Sequence, residues 1–405
     1  MPIPKLRFKD ENGQNYPEWE TSKLSNYLVV NPDRNAKLCF TKNDVYSVSG
    51  ELGVVNQISL LGRSFAGASV APYHIVYTND VIYTKSPLKA APYGIIKTNK
   101  GKAGIVSTLY AVYHPKKNTN PQFIEYYFGN DHRQNKYLKP LVNIGSKHDM
   151  KISNEAVLGG TVCFPSLTEQ TKVADFLTSY DRMIDVQSQR VEAMKTRKNG
   201  LLQKIFSQEI RFKDDQGQEY PEWILKSLKD IASVYDGVHQ TPNYQKEGIP
   251  FVSVENIRDL DKTNKYISLK DYQKNYKVYP QKGDILMTRI GDIGTSAIVR
   301  HEPLAYYVSL ALIKVKSNVS SDWLNQYIGS TDFQYELFKR SLQFAFPKKI
   351  NKNEIDKCKL MVPSLPEQQK IADFLTAVDT QIDVEEKRLE TMKTIKKGLL
   401  QQMFI

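Results

Sequence analysis

The side chains able to do chemistry are spread thinly through this 405-residue chain. Two carboxylates recur in matching contexts, Asp80 in Asp80-Val-Ile-Tyr-Thr-Lys85 and Asp284 in Asp284-Ile-Leu-Met-Thr-Arg289. Such a pair invites an acid/base reading, but each stands just before a β-rich apolar run, where a turn-forming Asp is the commoner role. The six histidines are scattered. Arg289-Ile-Gly-Asp-Ile-Gly-Thr295 carries a glycine pair of the kind that turns between strands. There is no GxxxxGK(S/T) phosphate loop, because Gly101-Lys102 lacks the upstream glycine and is followed by Ala103. HExxH, CxxC and GxSxG are absent, as is the N/D-PP-Y/F tetrapeptide with which amino methyltransferases hold a target base. Cys39, Cys163 and Cys358 stand far apart, with neither zinc spacing nor an even count for disulfides. The residues describe a binding protein with no catalytic residues, metal or cofactor of its own.

What it binds is suggested by charge. The net charge is +12 and the pI about 9.2, values that suit a polyanionic partner. Residues 1–164 carry 20 Lys+Arg against 12 Asp+Glu, and residues 207–362 carry 23 against 20. Basicity therefore sits in the bodies of the molecule and mostly in the first. No apolar run approaches the roughly 18 residues of a membrane span, and Met1–Asp10 lacks a signal-peptide core. A cytoplasmic, reduced location without membrane contact is expected.

The elements that must position any site are announced by internal repeats. Residues 165–206 recur as residues 363–404, with 26 of 42 aligned positions identical. RFKDENGQNYPEW from Arg7 returns as RFKDDQGQEYPEW from Arg211. The second unit directly follows the first long repeat, and the sequel missing after Ile405 is found at Met1. Such a circular order predicts termini that lie close together. Ser166-x-x-Glu169 and Ser364-x-x-Glu367 match the capping box that opens a helix, and Pro366 fits a first turn. A heptad follows, with Leu177, Ile184, Val191, Met194 and Leu201 on one seam and Leu375, Ile382, Leu389, Met392 and Leu399 on the other. Gln187 with Glu385, and Lys198 with Lys396, interrupt both seams at matching places. Two helices of about 60 Å, packed as a coiled coil, are predicted. Tyr16-Pro-Glu-Trp19 and Tyr220-Pro-Glu-Trp223 read as packing where a helix hands over to the next body.

Between the helices, residues 71–83, 104–113, 248–254, 284–290 and 306–316 are rich in β-branched and aromatic residues. The fold class is α+β: two mixed α/β bodies separated by two long antiparallel spacer helices, pseudo-two-fold and circular in organisation. The expected division is 1–162, 163–208, 209–361 and 362–405. The helices barely differ between copies while the bodies diverge, so one scaffold carries two different heads.

This order of variable body, PSL-x-EQ helix, variable body and PSL-x-EQ helix resembles the specificity subunit of type I restriction-modification systems over the whole chain. Pro165–Phe206 and Pro363–Phe404 are similar to that family's two conserved regions. Gly283–Gly294 is similar to a common element of its target recognition domains, which the first body matches less well, with Asn79 for the glycine and Ser86-Pro87 for Ile-Gly. The resemblance implies that each body reads half of a split, asymmetric site on double-stranded DNA, in the major groove, and that the helices fix the spacer. It also implies two docked modification subunits that hold S-adenosylmethionine and methylate adenine. Restriction subunits using ATP and magnesium complete the set, and the host is bacterial or archaeal.

Candidate DNA contacts follow from donor chemistry. In the second body they are His239, Gln240, Thr241, Asn243 and Tyr244, the turn with Arg289 and Asp292, and Lys348, Lys349 and Asn351. Gln240 and Asn243 have the groups to read adenine and Arg289 those to read guanine, while Lys348 and Lys349 suit phosphates. In the first body they are Lys97, Asn99, Lys100 and Lys102, with Lys147, His148 and Lys151 at the position matching Lys348 and Lys349. Two other readings remain open at this point: a specificity subunit for a fused, type II-like methylase and nuclease, and a coiled-coil scaffold indifferent to DNA sequence.

Overall fold

The computed structural model describes residues 4–87, 91–144 and 150–404, without the side chains of residues 143, 144 and 151. The chain is α+β. It divides into two compact units, Met1–Gln187 with Arg388–Ile405, and Ser188–Lys387. This division cuts both long helices, Leu167–Phe206 and Leu365–Met403, near their middles. Each unit thus owns the N-terminal half of one helix and the C-terminal half of the other.

The first unit is built on an antiparallel sheet of Leu28–Val30, Tyr110–Pro115, Val81–Thr84 and Ile96–Thr98, in that spatial order. The period of two that a strand imposes sorts its side chains between two cores. Val81, Tyr83, Ala111 and Tyr113 join a cluster that contains Val173, Ala174 and Leu177 of the first long helix and Met403 and Phe404 of the second. Ile82 and Val112 point the other way, into a smaller cluster with Val76 and Val106. A strand wedged between two cores has no polar face, which is why residues 81–84 are all buried. Leu6 N donates to Gln402 O at 3.0 Å, and Trp19 meets Phe404 edge-on. Chain segments near the two ends are therefore neighbours.

The second unit repeats the plan. Its sheet runs Ala232–Asp236, Leu310–Val315, Ile285–Thr288 and Ser296–Ile298. Ile285, Met287, Ala311 and Ile313 face Ile371, Ala372 and Leu375 together with Leu202, Ile205 and Phe206 of the long helices. Leu286, Leu310 and Leu312 face an outer cluster with Phe251, Tyr276 and Tyr306. Paired helices follow the same strand in each unit, Pro121–Phe128 with Asp131–Leu138 and Ser321–Ile328 with Thr331–Arg340.

Of the heptad seam, Leu177, Val191, Leu375 and Ile382 are buried, whereas Ile184, Met194, Leu201, Leu389, Met392 and Leu399 are half-buried. The polar interruptions are all engaged. Lys396 pairs with Asp181 in the first unit, and Lys198 with Asp379 at 2.6 Å in the second. Arg190 reaches Glu385 at 2.8 Å, and Lys195 reaches Glu386 at 2.7 Å. No helix is long and apolar enough to cross a membrane.

The helix starts depart from expectation. Ser166 Oγ is hydrogen-bonded to Thr168 Oγ1, and Ser364 Oγ is buried without a hydrogen-bond partner. Neither Glu reaches back as a capping box requires, because both are taken by arginines of the RFKD repeat. Arg7 Nε and Nη2 donate to Glu169 at 2.9 and 2.6 Å, and Arg211 Nε and Nη2 donate to Glu367 at 3.3 and 3.1 Å. The hydrogen bonds to these fully buried carboxylates raise both arginine pKa values above their usual range.

Candidate nucleic-acid interface

Each body is locked to its long helix by the same residues. Beyond the Arg–Glu forks, Gln170 Nε2 donates to Pro165 O and Asn118 O, and its Oε1 accepts from Asn120 N. In the second unit Gln368 Nε2 donates to Pro363 O, and its Oε1 accepts from Ser320 N. Asn120 and Ser320 are the N-caps of the helices that follow the main sheets. The EQ dipeptide of each repeat therefore spends its Glu on the entering chain and its Gln on the body. The YPEW segment packs as the sequence suggests, with Trp19 and Trp223 buried, and the same arginines donate to its backbone at Tyr16, Pro17, Tyr220 and Pro221. Sequence inspection missed this lock. Its signal was present, since a Glu-Gln pair repeated without change at the start of two near-identical helices points to shared partners.

In the second unit three of the predicted loops converge on Arg289. Its Nη1 pairs with Asp236, its Nε donates to Ile350 O at 3.2 Å, and its carbonyl accepts from Ile350 N at 3.0 Å. Gly291 N adds a bond to Lys348 O at 2.8 Å. Arg289 is 7% exposed, and burial lowers its pKa. This corrects its assignment as a guanine reader, since a guanidinium spent on Asp236 and a carbonyl has no free fork for a base edge. It pins the loops from below. Gly294 closes the turn at φ +96, a backbone conformation in which an L side chain is strained, so glycine is favoured there.

What these loops leave outside is polar and available. His239, Gln240, Thr241 and Asn243 are exposed and make no side-chain hydrogen bond among the described residues, although Val308 N to Val238 O and Gln245 N to Tyr266 O anchor the ends of their loop. Tyr244 leans edge-on against Phe251, with Lys265 over its ring. Asp292 is exposed and accepts from Thr295 Oγ1, and Lys348, Lys349 and Asn351 are exposed.

The first unit fulfils less of the expectation. Asn99 is fully buried, donates to Tyr77 O and Lys102 O and accepts from Gly101 N. It is a loop pin and not the DNA contact expected of it. Lys97 and Lys100 share Glu125 at 3.9 and 3.3 Å, and burial lowers the Lys97 pKa. Both line a cleft of about 630 Å³ with Asp181, Lys393 and Lys396 of the long helices. One carboxylate thus serves two ammonium groups, and only Lys102 of this loop stands exposed without an ion pair among the described residues. Lys147 and His148 lie outside the described residues, as does the Lys151 side chain. Asp80 and Asp284 hold turns, accepting from Tyr77 N and Gln281 N. Among the described residues no cluster of His, Cys, Asp and Glu is arranged to hold a metal.

Comparison with known proteins agrees with this geometry. Residues 220–394 match the family described as type I restriction modification DNA specificity domain. The MjaVIII type I specificity subunit of Methanocaldococcus jannaschii is 24% identical over 253 residues, 58% of this chain and 59% of that protein. The putative MjaX specificity subunit of the same organism is 26% identical over 255 residues, 58% and 56% of the two chains. The chain thus spans a little over half the length of these curated relatives. The fold is shared with the crystal structure of a type I restriction-modification S subunit from M. genitalium, with a TM-score of 0.60, 14% identity, and coverage of 100% of this chain and 99% of that one.

Proposed function

We propose that this chain, which is similar to the specificity subunits of type I restriction-modification systems, reads an asymmetric, bipartite site on double-stranded DNA. The observation that carries the reading is the doubled arrangement. Each unit has one strand order and one Arg–Glu and Gln–N-cap lock, while the exposed loops differ residue by residue. An invariant mount with variable tips is what recognition of two unlike half-sites requires.

Residues 1–162 and 209–361 act as target recognition domains, and residues 163–208 and 362–405 as an antiparallel coiled-coil spacer, pseudo-two-fold and circular. The antiparallel sense is supported by ion pairs whose numbers run in opposite directions, Lys198 with Asp379 and Arg190 with Glu385. Helices of 40 and 39 residues, near 60 Å each, suit a spacer of under two turns of B-DNA. Gln240 and Asn243 read adenine, His239, Thr241, Tyr244, Asp292 and Asn351 line the same surface, and Lys348, Lys349 and Lys102 hold phosphates.

The chain is not itself an enzyme in this reading. Two modification subunits bring S-adenosylmethionine, restriction subunits bring ATP and magnesium, and the assembly works in the cytoplasm. Exposed apolar residues on the long helices, Met183, Val186, Val384 and Ile395, offer docking surface for such partners. Selection from a randomised duplex pool by the full chain with its modification subunits tests the proposal. Two unlike short motifs at a fixed separation are expected. Retention without sequence preference would identify a scaffold instead.

A further inference from the structure

The loop after helix Thr331–Arg340 turns its largest apolar side chains to water. Phe344 and Phe346 are 105% and 103% exposed, as bare as in an extended peptide. Tyr335, Phe338 and Leu342 beside them are exposed as well. Single exposed apolar residues need no explanation, but five within residues 335–346 form a patch that marks a binding surface.

The loop is held at its base. Leu342 N donates to Lys349 O at 2.8 Å, Gln343 Nε2 to Phe338 O at 2.9 Å, and Gly291 N to Lys348 O at 2.8 Å. The rings are thus presented from a clamped support, which lowers the ordering cost of using them in binding.

Charge selects the partner. Lys348 and Lys349 follow the second ring after Pro347, are exposed, and hold no ion pair among the described residues. The nearby acids are engaged: Glu336 with Lys339 and Arg340, Asp236 with Arg289, and Asp292 with the Thr295 hydroxyl. The tip therefore offers two bare aromatic faces beside uncompensated positive charge. Stacked bases flanked by phosphates complement both features at once.

We propose that Phe344 and Phe346 form a wedge that enters a base step of duplex DNA and partly unstacks it, while Lys348 and Lys349 hold the adjoining phosphates. The proposal rests on the reading of this chain as a DNA-recognition subunit and gives its second half a deformation-based component of specificity. A pyrimidine–purine step, the easiest to open, is expected in the half-site that this unit reads. The matching stretch of the first body, residues 139–151, contains no Phe, Tyr or Trp, so only the second half-site is expected to be wedged.

The test uses the full chain with its modification subunits and a duplex of its mapped site carrying 2-aminopurine at successive positions of the second half-site. The native complex should raise the fluorescence at one step. The double variant Phe344→Ala/Phe346→Ala should assemble normally, bind about 10- to 100-fold more weakly, and lose that signal. Phe344→Trp/Phe346→Trp should keep both. Unchanged affinity and fluorescence in the alanine variant would overturn the wedge while leaving DNA recognition intact. Failure of that variant to assemble would overturn it in favour of a protein-docking role. Absence of any site preference in the native complex would remove the reading on which the wedge rests.

Discussion

At the scale of single residues, the arginine of each RFKD repeat holds a fully buried carboxylate at the start of a long helix. Glu367 is fully buried and accepts from Arg211 and from Trp223 Nε1 at 3.0 Å. Arg211→Ala leaves that carboxylate with one neutral donor, and removing one partner of a buried pair costs about 3–5 kcal/mol. Denaturant unfolding should show this loss. Arg211→Lys should recover little of it, because an ammonium cannot reproduce the fork that spans both carboxylate oxygens and the backbone of Tyr220 and Pro221. A second residue sets a pH dependence. His74 is buried with Nδ1 unpartnered, and burial, reinforced by Arg34 and Lys85, lowers its pKa to about 4 from 6.5. The unfolded chain therefore takes up this proton first as pH falls. The stability is intact above about pH 6.5 and is lost progressively towards pH 4. His74→Gln should flatten the fall of the thermal midpoint between pH 6.5 and 5, and an unchanged slope would remove His74 as its source.

At the scale of elements, packing and surface charge contribute unequally to the long helices. Leu375 is fully buried among Ile371, Ala372 and the sheet residues Ile285 and Ile313. Leu375→Ala should cost about 2–5 kcal/mol. Lys195 and Glu386 are both more than two-fifths exposed, so Lys195→Ala should cost under about 1 kcal/mol in the same unfolding experiment. These helices were legible in the sequence because a heptad repeated over forty residues constrains every position, and duplication showed which polar residues mattered. The main sheets were legible in part. Val81–Thr84 and Ile285–Thr288 are buried on both faces and stand out as apolar runs, whereas Leu28–Val30 and Ala232–Asp236, lying at sheet edges, carry no comparable signal. The site was least legible. Side-chain chemistry marks Arg289 as a base reader and Asn99 as a DNA contact, yet whether a donor is free depends on what the fold brings to it from residues 236 and 350, or from residues 77 and 102. Phe344 and Phe346 escaped notice for the converse reason, since aromatic residues are read as core until their exposure is known.

At the scale of the whole molecule, near-duplicate mounts with unlike tips are what the proposed reading of two unlike half-sites requires. In the proposed reading, affinity would reside in exposed lysines that bond phosphates and discrimination in loops such as 239–244, so the two properties should separate experimentally. The first unit, whose Lys97 and Lys100 share Glu125, contributes less free charge than its composition suggests. The measurement that tests the account most directly is a genome-wide map of methylated adenines in a host that carries this chain with its modification subunits. The account predicts one motif of two different half-sites separated by a fixed, unspecified spacer, and its disappearance when this chain is deleted. A continuous or palindromic motif, or methylation that persists without the chain, would contradict it.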